Sequence, residues 1–194
     1  MLDRKSYFIR EHVGVFKLAD TYDILDPETQ EQIGVAKESP GPLVTMLRLL
    51  VGKALLPTRV HFYEGEDPAA SSPILTIRRG IKLLRPKVDV LDGNGNLVGW
   101  FRAKLLSIGM SFRVFDADGK EFAEVKGDWK GWNFSFEMGG EKIGSVTKEW
   151  AGLGKELFTS ADNYVIDIFG DVDPGKSALL LAAGVAIDTV FKEK

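Results

Sequence analysis

The chain has 194 residues, of which 44% are hydrophobic and 27% are charged. This length and composition predict one globular domain over residues 1–194 and exclude an intrinsically disordered chain. The sequence holds no cysteine, which excludes a disulfide framework, thiolate metal ligands and a cysteine nucleophile and favours a cytoplasmic location. The net charge of -3 argues against nucleic-acid binding, whose affinity comes largely from phosphate neutralisation.

Four segments alternate apolar and polar residues on both sides of a turn rich in Asp and Gly, which is typical of a β-hairpin. They cover residues 22–38, 88–104, 112–128 and 134–149. Asp26, Asp92 and Asp116 open three of these turns, where a carboxylate accepts backbone N–H groups. Further strands are expected at 7–10, 13–17, 58–63, 74–78 and 163–169. About a dozen short, evenly spaced strands predict a closed or nearly closed antiparallel sheet.

Two segments depart from this alternation and predict helices. Residues 43–56, between Pro42 and Pro57, place their polar side chains at helical spacing and leave a wide apolar arc. Residues 178–187 are all apolar, so a helix there is apolar around nearly its whole circumference. Ten residues rise only about 15 Å, roughly half of a bilayer core. Because a barrel of twelve strands is too wide for its own side chains to fill, we expect this helix inside the barrel.

No apolar run reaches the ~18 residues of a membrane-spanning helix, and the N-terminal residues MLDRKSYFIREH have no apolar signal core. We therefore expect no transmembrane span. The predicted helix at residues 43–56 has two alternative uses. It packs on its own domain or on a partner, which is the commoner case, or it lies on a bilayer with Arg48 and Lys53 near head groups.

Several motifs resemble one known family. They are YDILDP at residues 22–27, IGVAKE at 33–38 and ADNYVIDIFGDVDPGKSALLLAAGVAIDTVFKE at 161–193. These motifs resemble the phospholipid scramblase and LURP-one-related group of the Tubby C-terminal superfamily, from about Tyr7 to Phe191. The resemblance implies a twelve-stranded antiparallel barrel threaded by an apolar C-terminal helix, in agreement with the pattern of alternation. It does not select one activity, because the superfamily includes calcium-dependent lipid movement, phosphoinositide binding and members without established activity.

Residues 78–87 read RRGIKLLRPK and concentrate cations in an acidic chain. The cations are Arg78, Arg79, Lys82, Arg85 and Lys87. Clustered Lys and Arg attract anionic lipid at about 1 kcal/mol each, and the Arg fork suits phosphate. This favours binding of anionic phospholipid or phosphoinositide head groups at a membrane surface. The alternative is a solvated strand edge in a structural or protein–protein interaction module with no lipid role.

By the resemblance, the calcium segment of scramblases maps to residues 160–171, with Asp162 and Asp171 at acidic positions. Ser160 opens the segment where a carboxylate is wanted, and Val165 occupies the sixth position, where an EF-hand loop has glycine. We therefore expect a strand and a helix-capping turn here, with Asp171 and Asp173 favouring the N-terminal dipole of the following helix. Asp162 and Asp171 stay the only calcium candidates.

No motif marks a catalytic site. His12 and His61 lie on separate segments without metal-ligand or triad spacing. The glycines at residues 93–99 form a hairpin turn, because no βαβ context follows them. The aromatic residues Trp129, Trp132 and Phe134 suit cross-strand packing better than a lipid interface. We expect a non-enzymatic domain without a cofactor; an unmarked pair of carboxylates is the remaining enzymatic alternative.

Overall fold

The computed structural model describes residues 1–12, 19–48, 50, 55–80, 87–104, 110–128, 132–148 and 163–188. These residues form twelve strands and two helices. The strands are β1 Ser6–Glu11, β2 Thr21–Leu25, β3 Gln32–Glu38, β4 Thr58–Glu64, β5 Leu75–Arg79, β6 Lys87–Asp92, β7 Leu97–Ala103, β8 Met110–Asp116, β9 Glu121–Asp128, β10 Asn133–Met138, β11 Glu141–Thr147 and β12 Tyr164–Ile168. The helices are α1 Pro42–Leu47 and α2 Pro174–Ala186.

Each strand pairs antiparallel with its neighbours in the chain, and β12 pairs with β1 to close the barrel. The Asp-led turns make the hairpins as the sequence predicts. Asp92 Oδ1 accepts the backbone N–H of Asn94 at 2.9 Å and of Asn96 at 2.8 Å, while Gly95 takes the positive φ that this turn needs. The predicted closed twelve-stranded barrel is confirmed. The strand expected at 13–17 lies outside the described residues.

Helix α2 fills the barrel, as its apolar sequence predicts. Every residue of it from Ser177 to Ala186 is buried, against the inward-facing side chains of the strands. The wall makes room for it at Gly99 of β7, where an added Cβ would lie 2.8 Å from Leu179 Cδ1 and would also clash with the carbonyl oxygen of Phe115. Among the described residues, neither helix combines the length and hydropathy that a membrane span requires.

The helix predicted at residues 43–56 is present but shorter in the described part of the chain. It begins at Pro42 and ends at Leu47, with Arg48 as its C-cap. The backbone N–H of Leu50 then bonds to the carbonyl of Leu47 at 2.9 Å, in a tighter turn. None of the residues of α1 is buried, although Val44, Thr45 and Leu47 are partly buried. The helix therefore has little of the tertiary packing that supplies most helical stability.

Candidate functional site

The predicted cation cluster divides between the two faces of the barrel wall. Arg78 lies on the outer face and is exposed, whereas the next residue, Arg79, points inward and is buried. Successive side chains of a strand point to opposite faces, so the two arginines cannot serve one ligand. Lys87 begins β6 and is exposed. Lys82 and Arg85 lie outside the described residues.

Arg79 is engaged within the protein. Its Nη2 donates to the carbonyl oxygen of Leu56 and to Thr58 Oγ1, each at 3.0 Å. These bonds attach the segment before β4 to the end of β5, where Thr58 and Arg79 are cross-strand partners. Arg79 therefore has a structural role, and the expectation that it belongs to an exposed cation cluster is not met. The alternation with buried Leu75 and Ile77 is a sequence signal for this inward placement.

Antiparallel register brings further cations beside Arg78 on the outside of β4 to β8. Arg59 is the partner of Arg78, Lys87 is the partner of Arg102, and Arg102 is in turn the partner of Arg113. All are exposed. We call this surface the basic outer face, defined by Arg59, Arg78, Lys87, Arg102 and Arg113. Arg59, Arg102 and Arg113 are not part of the cluster predicted from the sequence, because they come from three separate strands.

Asp89 is a carboxylate in the middle of the basic outer face, opposite Arg78. Arg78 Nη2 donates to Asp89 Oδ2 at 3.1 Å, and Lys87 Nζ lies 3.0 Å from Asp89 Oδ1. Partial burial opposes ionisation of Asp89, but the contacts from Lys87 and Arg78 outweigh it and hold its pKa below the ordinary value. Asp89 is therefore ionised at neutral pH and offsets part of the positive charge of the face.

Trp100 supports two of the cations. Its ring stacks on Phe115 with 3.8 Å between centroids and 8° between planes. Lys87 Nζ lies 5.1 Å from the centroid of the indole, and Arg102 Cζ lies 4.8 Å from it. Such cation–π contacts stabilise the side chains by about 0.5–1 kcal/mol each at exposed sites. The aromatic pair thereby holds the two cations over the outer face.

One of the two calcium candidates lies in the described part of the chain. Asp171 is exposed in the turn between β12 and α2, while Asp162 lies outside the described residues. Asp173 caps α2, since its Oδ1 accepts the backbone N–H of Lys176 at 3.0 Å. In the part of the chain that the structure describes, no three His, Asp or Glu side chains are grouped to hold a metal ion. That calcium is not a ligand stays a prediction.

The other singled-out residues are used in packing or ion pairs. Trp132 is buried between the rings of Phe134, at 6.2 Å, and Tyr164, at 5.2 Å, as expected for cross-strand packing. His12 Nε2 lies 2.6 Å from Asp23 Oδ1, and His61 Nδ1 lies 2.9 Å from Thr76 Oγ1. The two histidines thus have separate partners on separate strands. Trp129 lies outside the described residues.

Comparison with known proteins gives one family. A family model described as Scramblase matches residues 69–194. Phospholipid scramblase 2 of Bos taurus is 43% identical over 51 residues, covering 26% of this chain and 17% of the relative. Phospholipid scramblase 1 of Mus musculus is 38% identical over 52 residues, covering 27% and 16%, and phospholipid scramblase 2 of Homo sapiens is 36% identical over 52 residues, covering 27% and 18%.

The matched part spans less than a fifth of the length of these curated relatives. No solved structure matches the chain. The family match covers β5 to β12 and α2, which include most of the basic outer face, whereas Arg59 on β4 precedes the matched residues.

Proposed function

The chain belongs to the scramblase family, and from this premise we propose that it binds anionic phospholipid head groups at a membrane surface through the basic outer face. The binding is non-enzymatic and requires no cofactor. The names of the curated relatives, phospholipid scramblases, make phospholipid the natural class of ligand to test.

The observation that carries this proposal is the basic outer face itself. Five exposed cations from five adjacent strands face outward together. In the described part of the chain, the carboxylates among their paired neighbours are Asp89, opposite Arg78, and Glu124, opposite Arg113. Clustered cations attract an anionic lipid surface at about 1 kcal/mol each. Trp100 holds Lys87 and Arg102 in place before binding, which lowers the entropic cost of ordering them.

A structural or protein-interaction module is the second candidate, and it too has an observation in its favour. Arg78 and Lys87 share Asp89, and Arg113 Nη1 lies 3.3 Å from Glu121 Oε2. Exposed ion pairs of this kind are common on solvated strand surfaces and contribute about 0–1 kcal/mol to stability. On this alternative the outer face keeps the sheet soluble and has no lipid ligand.

Vesicle sedimentation distinguishes the lipid-binding proposal from the interaction-module alternative. We expect the protein to bind vesicles of phosphatidylcholine with about 30% phosphatidylserine, and not pure phosphatidylcholine, with an affinity that falls as salt rises. The triple variant Arg78→Gln, Lys87→Gln, Arg102→Gln should weaken vesicle binding more than about tenfold, because each lost cation removes about 1 kcal/mol of attraction to the anionic surface.

The matched control is Lys5→Gln, Lys120→Gln, Lys142→Gln, which removes the same charge from exposed positions elsewhere on the barrel. It should weaken binding much less. If the wild type ignores anionic vesicles even at low ionic strength, the lipid proposal is wrong and the interaction module is favoured. Equal loss in both triple variants would instead show that net charge, rather than the basic outer face, determines binding.

A further inference from the structure

The segment between β3 and β4 has its polar and apolar side chains in an unusual arrangement. The Arg48 side chain is 4% exposed and the Glu38 side chain 1%, whereas Leu43, Met46 and Leu50 are 69%, 64% and 78% exposed. Leu55 is exposed as well. In a folded domain charged residues are ordinarily outside and large aliphatic residues inside. In this segment the charged pair is inside and the large aliphatic side chains are outside.

Two buried arginine side chains contact described parts of this segment. Arg48 Nη1 donates to Glu38 Oε2 at 3.0 Å, and its Nη2 donates to the other oxygen of the same carboxylate. This bidentate pair holds the end of α1 on the end of β3. At the far side, Arg79 binds the carbonyl oxygen of Leu56. Leu43, Met46 and Leu50 therefore lie within five residues of a buried ion pair.

The bilayer alternative for residues 43–56 places Arg48 near lipid head groups, and this buried pairing contradicts that position for Arg48; Lys53 lies outside the described residues. A buried ion pair loses the hydration of both charges, so its net contribution to stability is small. The two parallel hydrogen bonds of this pair nevertheless define one orientation of Arg48 relative to Glu38. Here the geometry keeps Leu43 and Met46, which are three residues apart and share one face of α1, turned to the outside. Contiguous exposed apolar residues of this kind mark interaction surfaces.

Charge around the segment indicates the nature of its partner. The segment lies at the barrel end where β3 and β5 finish and β4 and β6 begin. Exposed Lys37, Arg59 and Lys87 lie at this end on the strands next to the segment, and the exposed carboxylate of Asp128 lies at the same end on β9. The turns at the opposite end carry more exposed carboxylates than exposed cations, although Lys5, Lys120 and Lys142 also lie there. Exposed examples on those turns are Glu28, Glu31, Glu66, Asp67, Asp118 and Asp171. An anionic surface therefore attracts the barrel end that carries α1 and repels the end that carries the acidic turns.

We propose that Leu43, Met46 and Leu50 insert into the interfacial layer of an anionic bilayer, so that the barrel docks with its α1 end down and its acidic turns pointing away. Apolar side chains next to cations are the combination that binds such interfaces, because burial of the first adds to attraction of the second. This inference rests on the proposed function, to which it adds a second contact surface and a defined orientation.

Single-cysteine labelling tests the orientation directly, since the chain has no native cysteine. An environment-sensitive nitrobenzoxadiazole label is placed on Leu43→Cys, Met46→Cys or Leu50→Cys, and for comparison on Leu97→Cys or Met138→Cys. The two comparison residues are also exposed but flank the acidic turns. With phosphatidylserine vesicles we expect the α1 labels to brighten, shift to the blue and be quenched by doxyl-labelled lipid, while the comparison labels do not respond.

Sedimentation of the same samples distinguishes the possible failures. Vesicle binding with silent α1 labels would overturn the docked orientation and leave the proposed function standing. Absence of vesicle binding would overturn both the docked orientation and the proposed function. Responsive α1 labels together with unimpaired binding of the Arg78, Lys87 and Arg102 variant would support insertion and refute the basic outer face as the head-group site.

A second pair of variants measures the contribution of insertion. Leu43→Ser with Leu50→Ser should weaken vesicle binding at least about tenfold without changing the thermal midpoint, because both side chains are already exposed. Leu97→Ser with Met138→Ser should leave binding unchanged. If the α1 variant instead abolishes self-association in sedimentation velocity and leaves vesicle binding intact, the segment contacts a second copy of the chain, and the bilayer proposal is wrong.

Discussion

The hydroxyl of Tyr22 on β2 donates a hydrogen bond to Asp188 Oδ2, just beyond α2, across 2.7 Å. Both residues are buried. Burial and the nearby Asp188 charge raise the pKa of Tyr22 well above its ordinary value, and the same two causes raise the pKa of Tyr164. The phenol of Tyr22 therefore stays protonated and serves as a donor that ties the end of the buried helix to the barrel wall.

Removing that donor should destabilise the fold. In Tyr22→Phe, buried Asp188 loses one hydrogen bond without gaining access to water, so the free energy of unfolding should fall by about 1–3 kcal/mol at pH 7. Urea denaturation measures the change. Tyr63→Phe, on the outer side of β4, is the control and should cost much less. Equal losses in the two variants would contradict the anchoring role of Tyr22.

A charge in the middle of α2 should prevent the barrel from folding. Leu180 is fully buried, so Leu180→Asp places a carboxylate among apolar strands without a partner and should cost several kcal/mol, comparable to the whole stability of many domains. We expect an insoluble protein or one without a cooperative melt in circular dichroism. Met138→Asp, at an exposed position, should melt like the wild type. A cooperative, unshifted melt of Leu180→Asp would disprove burial of the helix.

The contact between Gly99 and Leu179 predicts a cost for a single methyl group. In Gly99→Ala the new Cβ meets both the Leu179 side chain and a backbone carbonyl, and the backbone cannot move aside without disturbing the sheet. The free energy of unfolding should fall by about 1–3 kcal/mol. Gly41→Ala is the control, because no atom lies within 4 Å of its added Cβ. A neutral Gly99→Ala would show that the helix does not pack this closely on β7.

Neutralising Asp89 should strengthen lipid binding. Asp89→Asn removes the one carboxylate that pairs with Arg78 and Lys87 and leaves the cations free for phosphate. Affinity for phosphatidylserine vesicles should rise about fivefold, as expected for about 1 kcal/mol per unit charge, and the gain should disappear at high salt. Asp118→Asn, on an acidic turn, gives the same change in net charge. If both variants gain equally, the effect is one of total charge alone.

Asp173, whose carboxylate caps α2, should make the stability of the protein depend on pH. The side chain of Lys176, together with its backbone N–H, lowers the pKa of Asp173. Because the pKa of Asp173 is lower in the folded than in the unfolded protein, its ionised carboxylate stabilises the fold at pH values above the unfolded-state pKa of about 3.9. This stabilisation is lost as the pH falls through the folded-state pKa. Asp173→Ala should therefore cost about 0.5–2 kcal/mol at pH 7 and progressively less below about pH 4.

The control for this titration is Asp173→Asn, which retains a capping oxygen but does not ionise. Urea denaturation at pH 7 and at about pH 3 compares the three proteins. The difference between wild type and Asp173→Ala should narrow in acid, whereas the difference between the Asn and Ala variants should not. A wild-type advantage that is the same at both pH values would contradict an ionised cap.

Much of the fold follows from local pattern. Strand alternation, the turns opened by Asp26, Asp92 and Asp116, and the apolar run of α2 predict a closed antiparallel barrel around a helix, because each signal depends on residues close together in the chain. The same alternation explains why Arg78 and Arg79 face opposite ways. The prediction of a single cation cluster at residues 78–87 did not take this two-residue alternation into account.

The candidate surfaces depended on the tertiary structure. Arg102 and Arg113 join Arg78 only through the register of three strand pairs, and Arg48 is buried only because the end of β3 places Glu38 beside it. Asp188 meets Tyr22 across 166 positions of sequence. Period and hydropathy are local properties, so the amino-acid pattern predicts the described strands and the helix that fills the barrel. Only closure of the barrel decided which charges are paired, buried or displayed, because those outcomes depend on partners distant in the chain.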